Sequence, residues 1–297
     1  MKRRLLKLLP ILAVLGILAL GGMGLLHNRM NVEPFEAVVT ETFEDGSLDR
    51  MHPRIRTEFC CEESARIVDL SDYGSEGQGI EVSLRPDDAD VKGSKRSEIR
   101  LPAGHFDKVV WYRTRIRIEP DWVPAEAPVT LLQWHGVPDK ALLEGNRSPA
   151  LRLLNWKNQN YIALNWDTSP RSFKGFTLFG ENQGTVIWLG DDAPGEWEDW
   201  VFRVVWARRT EGRVSVWRNG ELLTDHIGYA GYNDLEAPYL KVGIYVPKWK
   251  DSARAPDAES RTAQFDDVWE IYPEDADGPL PDDVRTLIDT LSAQLTP

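Results

Sequence analysis

Three short segments of the chain contain polar side chains of the types and spacing that acid–base chemistry on an anionic ligand requires. The first is KRSEIR at residues 95–100, where strand alternation places Arg96, Glu98 and Arg100 on one face. A carboxylate between two guanidinium groups holds both in position and leaves donors for a bidentate contact to a ligand carboxylate. Alternating charges are also common on solvated strands, so this segment needs the support of the other two.

The second segment is LQWHG at residues 132–136. On a strand, Gln133 and His135 share a face and lie about 7 Å apart, whereas Trp134 points the other way and is predicted to enter the core. The Gln133 amide is a hydrogen-bond donor, and the His135 imidazole is a base that titrates near neutral pH. A lone histidine is more often structural, so this segment also depends on its partners.

The third segment is YLKVGIY at residues 239–245. Alternation places Tyr239, Lys241 and Tyr245 on one face, and the apolar residues between them are predicted to face the core. Gly243 lies between Lys241 and Tyr245 and leaves space in which another backbone or a sugar can approach. A tyrosine at such a position also suits a hydrophobic core, so both interpretations stay open for this segment alone.

In combination and in this chain order, the segments RSEIR, QWH and YLKVGIY resemble the R-x-E-x-R, Q-x-H and Y-x-K-x-G-x-Y strands of the jelly-roll polysaccharide lyases. The QWHG and GIYVPKW variants are more similar to the glucuronan-lyase and heparin-lyase-I members than to the alginate lyases. The resemblance covers residues 40–272. It implies cleavage of a uronic-acid polysaccharide, with glucuronan favoured, by β-elimination and with no cofactor required for catalysis.

The resemblance also implies a role for each side chain. Uronate lyases remove the proton at C5, which is poorly acidic while the adjacent carboxylate is charged, so neutralising that charge is the largest energetic task. By resemblance, Arg96 and Gln133 neutralise it, His135 is the base and Tyr245 is the acid, with a tyrosine that performs both steps as the alternative. The residues expected to orient the arginines or to contact the polymer are Glu98, Arg100, Tyr239, Lys241, Lys248, Trp249 and Lys250.

The segments that must position these side chains are mostly short strands. Strand patterns occur at residues 80–84, 109–119, 129–136, 150–156, 160–166, 200–207, 212–220, 239–246 and 263–272. Asn219-Gly220 predicts a type I′ hairpin, and the amphipathic segment 281–295 predicts a short closing helix. Many short strands in one domain of this size predict an all-β jelly roll, a two-sheet sandwich, over residues 35–273, followed by a tail at 274–297.

One predicted strand carries a strongly basic face. In VVWYRTRIRIE at 109–119, alternation places Trp111, Arg113, Arg115 and Arg117 on the same side. This pattern fits either a solvated outer sheet face or one wall of a groove for an anionic polymer.

The N-terminal segment 1–30 predicts an export signal or a membrane anchor. Four basic residues within the first seven positions precede an uncharged, mainly apolar run from Leu8 to Leu26. Because the basic flank comes first, the rest of the chain is expected outside the cytoplasm, in the periplasm or cell exterior. Anchoring to the membrane through an uncleaved segment remains open.

The overall charge limits the partners. The chain has a formal net charge of −12 and a pI of about 5.0, which argues against nucleic acid because phosphate binding requires a basic surface. An acidic polysaccharide is compatible with this charge only if cations are concentrated locally at the site. The chain is expected to be a monomer.

Two other kinds of function are compatible with a sugar-binding β-sandwich. A glycoside hydrolase of the same fold needs two carboxylates flanking the scissile bond, and the nearest candidates are Glu196, Glu198 and Asp199 in GEWEDW. A non-catalytic carbohydrate-binding module would use some of the 12 tryptophans without a Tyr/His pair.

Two further features concern metal and thiol chemistry. The acidic turns around Asp45 and Asp266 resemble a structural calcium site of some jelly-roll sugar enzymes, and solvated turns are the alternative. The two cysteines, Cys60 and Cys61, are adjacent, so export permits either a vicinal disulfide or two free thiols.

Overall fold

The computed structural model describes residues 35–121, 127–140, 144–169, 182–250 and 260–295. These residues form sixteen β-strands in two sheets and one C-terminal α-helix, which confirms the predicted two-sheet sandwich. The predicted signal or anchor at 1–30 lies outside the described residues. Within the described part, no helix is long and apolar enough to cross a membrane.

The first sheet contains eight strands. They are β1 (Val38–Glu41), β3 (Ala65–Asp69), β4 (Gln78–Leu84), β6 (Val109–Ile118), β11 (Glu198–Val205), β12 (Gly212–Arg218), β13 (Glu221–Gly228) and β16 (Arg261–Ile271). Their order is β13-β12-β11-β6-β16-β4-β3, and β1 also pairs with β16.

The second sheet also contains eight strands. They are β2 (Arg56–Glu58), β5 (Arg96–Ala103), β7 (Val129–His135), β8 (Leu151–Trp156), β9 (Gln159–Asp167), β10 (Asn182–Asp191), β14 (Gly231–Tyr232) and β15 (Tyr239–Tyr245). Their order is β10-β9-β8-β7-β15-β5-β2, with β14 pairing in parallel with β9. The three polar segments of the sequence are therefore the adjacent strands β7, β15 and β5.

Aromatic side chains fill the space between the sheets. Trp134 of the second sheet is fully buried, and its ring centroid lies 4.7 Å from that of Phe202 and 5.4 Å from that of Tyr112 in the first sheet. This confirms the inward orientation predicted for Trp134. Since neighbouring residues of a strand point to opposite faces, Gln133 and His135 must point away from this core.

The C-terminal helix covers the outer face of the first sheet. Helix α1 (Asp282–Ser292) confirms the predicted amphipathic segment, and its Leu287 and Leu291 pack against a cluster that includes Trp111 and Trp217. The two indole rings stack with centroids 5.5 Å apart. The helix therefore lies on the opposite side of the sandwich from β5, β7 and β15.

The basic face of β6 is an outer sheet face and not a groove wall. Arg113 forms ion pairs with Asp199 at 2.8 Å and with Asp267 at 3.0 Å, and Arg115 pairs with Asp266 at 3.1 Å. These arginines belong to the first sheet, so they lie on a different sheet from the three polar segments. Their charges are matched by carboxylates of the same sheet.

Two local predictions can be compared with the structure directly. Asn219 and Gly220 connect β12 to β13 and both have positive φ, 52° and 80°, which confirms the type I′ turn. Cys60 and Cys61 form a vicinal disulfide, which selects one of the two alternatives left open by the sequence.

Candidate active site

The register of the second sheet aligns the polar segments side by side. Lys241 of β15 pairs with Arg100 of β5 on one side and with Gln133 of β7 on the other, and Tyr239 pairs with His135. Directly opposed residues of paired strands project from the same face, so these groups all point away from the core. We term this surface the site face, defined by Arg96, Gln133, His135, Lys241 and Tyr245.

Two buried carboxylates hold the cations of the site face in place. Glu58 and Glu98 are 4% and 1% exposed, and the Lys241 ammonium lies 2.7 Å from Glu58 Oε2 and 3.3 Å from Glu98 Oε2. Arg96 Nη1 lies 3.4 Å and 3.3 Å from the same two oxygens, and the Gln133 amide donates to Glu98 Oε1. Every polar side chain in this cluster is thus fixed by at least one charge-assisted contact.

The cluster keeps the Glu58 carboxylate ionised despite its burial. Burial alone would raise the pKa of Glu58, but the charge and hydrogen bond of Lys241, followed by those of Lys92, outweigh it and lower the pKa to about 2. Lys92 lies 2.6 Å from Glu58 Oε1. Together with Arg96 and Arg100, these lysines outnumber the two carboxylates. The site face therefore carries a local positive surplus on a chain whose net charge is −12.

Arg96 and Arg100 each lie over a tyrosine ring and keep unused donors. The Arg96 guanidinium is 4.6 Å from the Tyr245 ring centroid, and that of Arg100 is 4.0 Å from the Tyr239 ring centroid. The buried Nε atoms of both arginines have no hydrogen-bond partner in the structure. Glu98 was predicted to orient both arginines, but the observed contact is with Arg96 only, since Arg100 is held by Tyr239 instead.

His135 is a neutral imidazole with one free ring nitrogen. Its Nδ1 lies 2.8 Å from the carbonyl oxygen of Gly136, which can only accept, so the proton is on Nδ1 and Nε2 is unprotonated. Burial, followed by the charges of Lys241 and Arg96, lowers the pKa of His135 to about 4. At neutral pH the side chain is therefore ready to accept a proton.

In the structure His135 lies beside Tyr239, whereas Tyr245 lies beside Arg96. The rings of His135 and Tyr239 stack with centroids 5.7 Å apart. Tyr245 pairs with Thr130 on β7, five residues before His135, so the two backbones stand about 16 Å apart along the strand. Among the described residues, no hydrogen bond joins His135 to Tyr245. Arg96 links the two groups, because it contacts the Tyr245 ring and its charge acts on His135.

Some residues predicted to contact a polymer have other positions. Trp249 is 3% exposed and belongs to the hydrophobic core, so its predicted subsite role is wrong: the turn Pro247–Lys250 directs the ring inward, where the Arg261 guanidinium lies 5.9 Å from its centroid. Lys248 is exposed in the same turn, and the side chain of Lys250 lies outside the described part.

Glu98 and Lys241 lie beneath the surface that a polymer would touch. They are 1% and 2% exposed. Glu98 holds Arg96 and Gln133 in position, whereas Lys241, predicted to contact neighbouring uronates, is paired with Glu58 and Glu98. The physical reason is charge pairing, since each neutralises the other in a buried environment.

Three charged residues of the site face were missed by the sequence analysis. Glu58 and Lys92 complete the ion-pair cluster, and Arg152 of β8 pairs directly with Gln133 in the sheet. The signal for Arg152 was present in ALRLLNW, where it is the one charged residue of an otherwise apolar strand pattern. Glu58 lies in a three-residue strand, which is too short to show alternation.

Of the two acidic residues predicted to bind calcium, Asp266 has hydrogen-bond partners in the protein and Asp45 is exposed. Asp266 accepts hydrogen bonds from Arg115 and from the Asp267 backbone, and burial, followed by the charges of Asp267 and Glu44, raises its pKa to about 6. Asp45 is exposed. Among the described residues, only Cys60, Cys61 and Asp88 bring three such ligand atoms together, and the two sulfurs are joined in the disulfide. Calcium at Asp45 and Asp266 stays a prediction.

Comparison with known proteins supports the same class. The family model described as polysaccharide lyase matches residues 40–272. An endo-β-1,4-glucuronan lyase from the fungus Trichoderma reesei is similar in structure, with a TM-score of 0.62 and 17% identity over 78% of this chain and 93% of that one. An alginate lyase from Pseudomonas aeruginosa has a TM-score of 0.44 and 20% identity over 65% and 82% of the two chains. No curated protein matches the sequence.

The fold and the family match together define a two-sheet β-sandwich enzyme, which carries a cationic cluster and a neutral histidine on the outer side of one sheet. The family match extends over most of the chain and includes all three polar strands. This chain belongs to the polysaccharide lyase family.

Proposed function

We propose that this lyase cleaves a uronic-acid polysaccharide, with glucuronan favoured, by β-elimination that leaves an unsaturated uronate end. The observation that carries the proposal is the pairing of unused guanidinium donors with a neutral base on the same face. Arg96 is fixed by Glu58 and Glu98 through Nη1, so these carboxylates leave its other terminal nitrogen for a ligand, and His135 presents an unprotonated Nε2. The similarity to the glucuronan lyase supports the fold on which this site is built.

In the proposed reaction, Arg96 and the second amide N–H of Gln133 bind the uronate carboxylate and stabilise the charge that develops on it. Nε2 of His135 removes the C5 proton, and the C5–H electron pair forms the C4–C5 double bond as the C4–O4 bond breaks. The Tyr245 hydroxyl donates its proton to O4. One product has a new hydroxyl end, and the other has the double bond.

The roles of base and acid can be assigned in two ways. The C5 proton and O4 belong to adjacent carbons of one ring, so the base and the acid must both reach the same sugar. The separation of His135 from Tyr245 along β7 therefore requires both side chains to lean toward Arg96, and otherwise favours a tyrosine that performs both steps. Tyr239 is the tyrosine that stacks on His135, but burial raises its pKa. We assign the acid role to Tyr245, whose ring contacts the arginine that binds the carboxylate.

The hydrolase alternative is disfavoured by the position of its candidate carboxylates. Glu198 and Asp199 begin β11 of the first sheet, where Glu198 pairs with Arg218 at 3.1 Å and Asp199 pairs with Arg113. They therefore lie on the sheet opposite the site face. A binding module without catalysis would not require a neutral histidine among fixed cations.

The remaining proposals concern location. We infer that the chain is exported as a monomer to the periplasm or cell exterior, because a basic flank precedes the apolar run at 8–26. The vicinal disulfide is compatible with an oxidising compartment.

The function is tested by incubating the protein with glucuronan, alginate and heparin while recording the absorbance of unsaturated uronate. Glucuronan is expected to give the fastest rise in absorbance. New reducing ends without that absorbance would indicate a hydrolase, and neither signal with any polyuronate would indicate a binding module.

The site assignment is tested with Tyr245→Phe and His135→Ala. Each is expected to lower kcat by at least about a hundredfold, the usual contribution of a positioned acid or base, without changing the unfolding midpoint. Tyr239→Phe is the matched control, since it removes a hydroxyl from the same strand and face, and it is expected to retain most of kcat. Loss of activity in Tyr239→Phe together with full activity in Tyr245→Phe would reverse the assignment.

A further inference from the structure

The site face does not end at β7. Arg152 of β8 pairs with Gln133, Ala163 of β9 pairs with Arg152, and Val186 of β10 pairs with Ala163. Directly opposed residues project from the same face of a sheet, so this row continues the line of Lys241 and Gln133 across three more strands. The neighbours of these residues in sequence, such as Leu151 and Ile162, belong to the core between the sheets.

No carboxylate of the described part neutralises the charge of Arg152. Its side chain is partly buried, its Nε atom is buried without a hydrogen-bond partner, and the structure shows no ion pair for it among the described residues. Burial lowers its pKa, and the nearby groups that act on it are the phenols of Tyr245 and Tyr232. A partly desolvated guanidinium with spare donors is suited to a carboxylate supplied by a ligand.

A second row, two residues farther along these strands, carries aromatic side chains. Leu154 pairs with Tyr161, and Tyr161 pairs with Trp188 of β10. Trp188 is 59% exposed, and Val186 on the same strand and face is 63% exposed. Contiguous exposed apolar surface often belongs to a ligand-binding site. An indole face also suits the apolar side of a pyranose ring.

We propose that the polymer extends from the catalytic centre across β8, β9 and β10, with a neighbouring uronate carboxylate bound by Arg152 and a further sugar ring stacked on Trp188. This inference rests on the proposed function, because it assumes a carboxylate on the polymer. Three strand spacings separate β7 from β10, about 14 Å, which leaves room for several sugar residues beyond the scissile bond. The enzyme should therefore prefer long chains.

The proposal is tested with Arg152→Gln and Trp188→Ala on intact glucuronan and on a uronate trisaccharide. Each variant is expected to raise KM for the polymer by about tenfold, the cost of one good contact, with kcat changed by less than about twofold. On the trisaccharide, Trp188→Ala should match the wild type, because the substrate is too short to reach β10.

The first sheet provides matched controls. Arg203 on β11 is also partly buried, has a buried nitrogen without a partner and a pKa lowered by burial, and Ile227 on β13 is 62% exposed. Arg203→Gln and Ile227→Ala should leave KM unchanged. An unchanged polymer KM in Trp188→Ala, or an equal rise in the controls, would overturn the inference.

Retardation in a gel that contains intact glucuronan separates this inference from the proposed function. Wild-type retardation that is lost in both site-face variants and kept in both controls supports the subsite, even if no polymer is cleaved. Cleavage by the wild type with equal retardation of all five proteins would overturn the subsite and leave the lyase assignment standing.

Discussion

At the scale of single residues, the candidate site depends on buried carboxylates that hold its cations in place. Glu58 and Glu98 are almost fully buried and are compensated by Lys241 and Arg96. Burying ions costs free energy, so such a cluster contributes little net stability, but it fixes the direction of every donor before substrate arrives. Donors that are already oriented need not reorganise as charge develops, and this is the largest source of electrostatic catalysis.

The pH dependence of the reaction should report the state of His135. Because burial and neighbouring cations lower its pKa to about 4, the imidazole is neutral above that value and protonated below it. We expect kcat/KM to fall only as the pH drops through about 4, since this parameter follows groups of the free enzyme. Steady-state rates between pH 3 and 8 at constant ionic strength measure this limb.

Two features make the pH profile a clear test of the lowered pKa of His135. Glu58 titrates near pH 2, below the range of the measurement, so it does not obscure the limb. An acid limb near 6.5, the ordinary value for histidine, would show that the imidazole is not desolvated as the structure indicates.

At the scale of elements, β15 contains a local irregularity that sets the spacing between Lys241 and Tyr245. Its register with β7 shifts between Val242 and Tyr245, and Gly243 has a φ of 143°. A Cβ atom at Gly243 would lie 2.2 Å from the Ser97 carbonyl oxygen. The space expected beside this glycine is therefore filled by the β5 backbone, and no side chain fits there.

Gly243→Ala should destabilise the fold more than alanine at a glycine that has positive φ but open space around it. We expect a loss of roughly 3 kcal/mol in the free energy of unfolding, together with reduced kcat, because β5 and β15 must separate. Gly74→Ala is the control, since Gly74 also has positive φ, 76°, but open space around its Cβ position. It should cost about 1 kcal/mol. Denaturant unfolding measures both, and equal losses would contradict the close approach of the strands.

At the scale of the whole molecule, the two sheets use charge differently. The outer face of the first sheet pairs Arg113 and Arg115 of β6 with carboxylates of the same sheet and is partly covered by α1. The site face of the second sheet leaves guanidinium donors unused. A chain of net charge −12 can thus carry a locally cationic surface, because the electric field of exposed charges falls off within about 8 Å at physiological ionic strength.

The sandwich also contains a buried acid that links stability to pH. Burial raises the pKa of Glu270 to about 8, although Tyr272 donates a hydrogen bond of 3.0 Å to Oε1. The folded protein therefore binds a proton that the unfolded chain releases near pH 4.5. This contribution to stability is complete below that value and is lost as the pH rises through about 8.

Comparison of the wild type with Glu270→Gln tests this linkage. The difference in unfolding free energy between the two proteins should change by a few kcal/mol from pH 5 to pH 8, in favour of the variant at the higher pH. Urea unfolding at several pH values isolates the effect from that of Asp266, whose pKa is also raised, because both proteins retain Asp266. A constant difference across this range would contradict the buried position of Glu270.

Several properties of this protein were determined by the sequence alone, because they depend on local alternation and local turns. The pattern of β7 predicted that Trp134 faces the core and Gln133 the other side, and the Asn219-Gly220 pair predicted the β12–β13 hairpin. The order of RSEIR, QWH and YLKVGIY was enough to indicate the family, which the match over residues 40–272 confirms. In each case the information lies within a few consecutive residues.

Other properties were decided only by the tertiary structure, because they depend on which distant strands become neighbours. Glu58 joins the site through pairing of β2 with β5, and Arg152 joins it through pairing of β8 with β7. In sequence the arginines of β6 fit either a solvated outer face or a groove wall, and the structure places them on the sheet that does not carry the site face, whereas Trp249 turns into the core. Alternation divides the residues of a strand between two opposite faces. The packing of the sheets then determines whether each face contacts water, substrate or another ion.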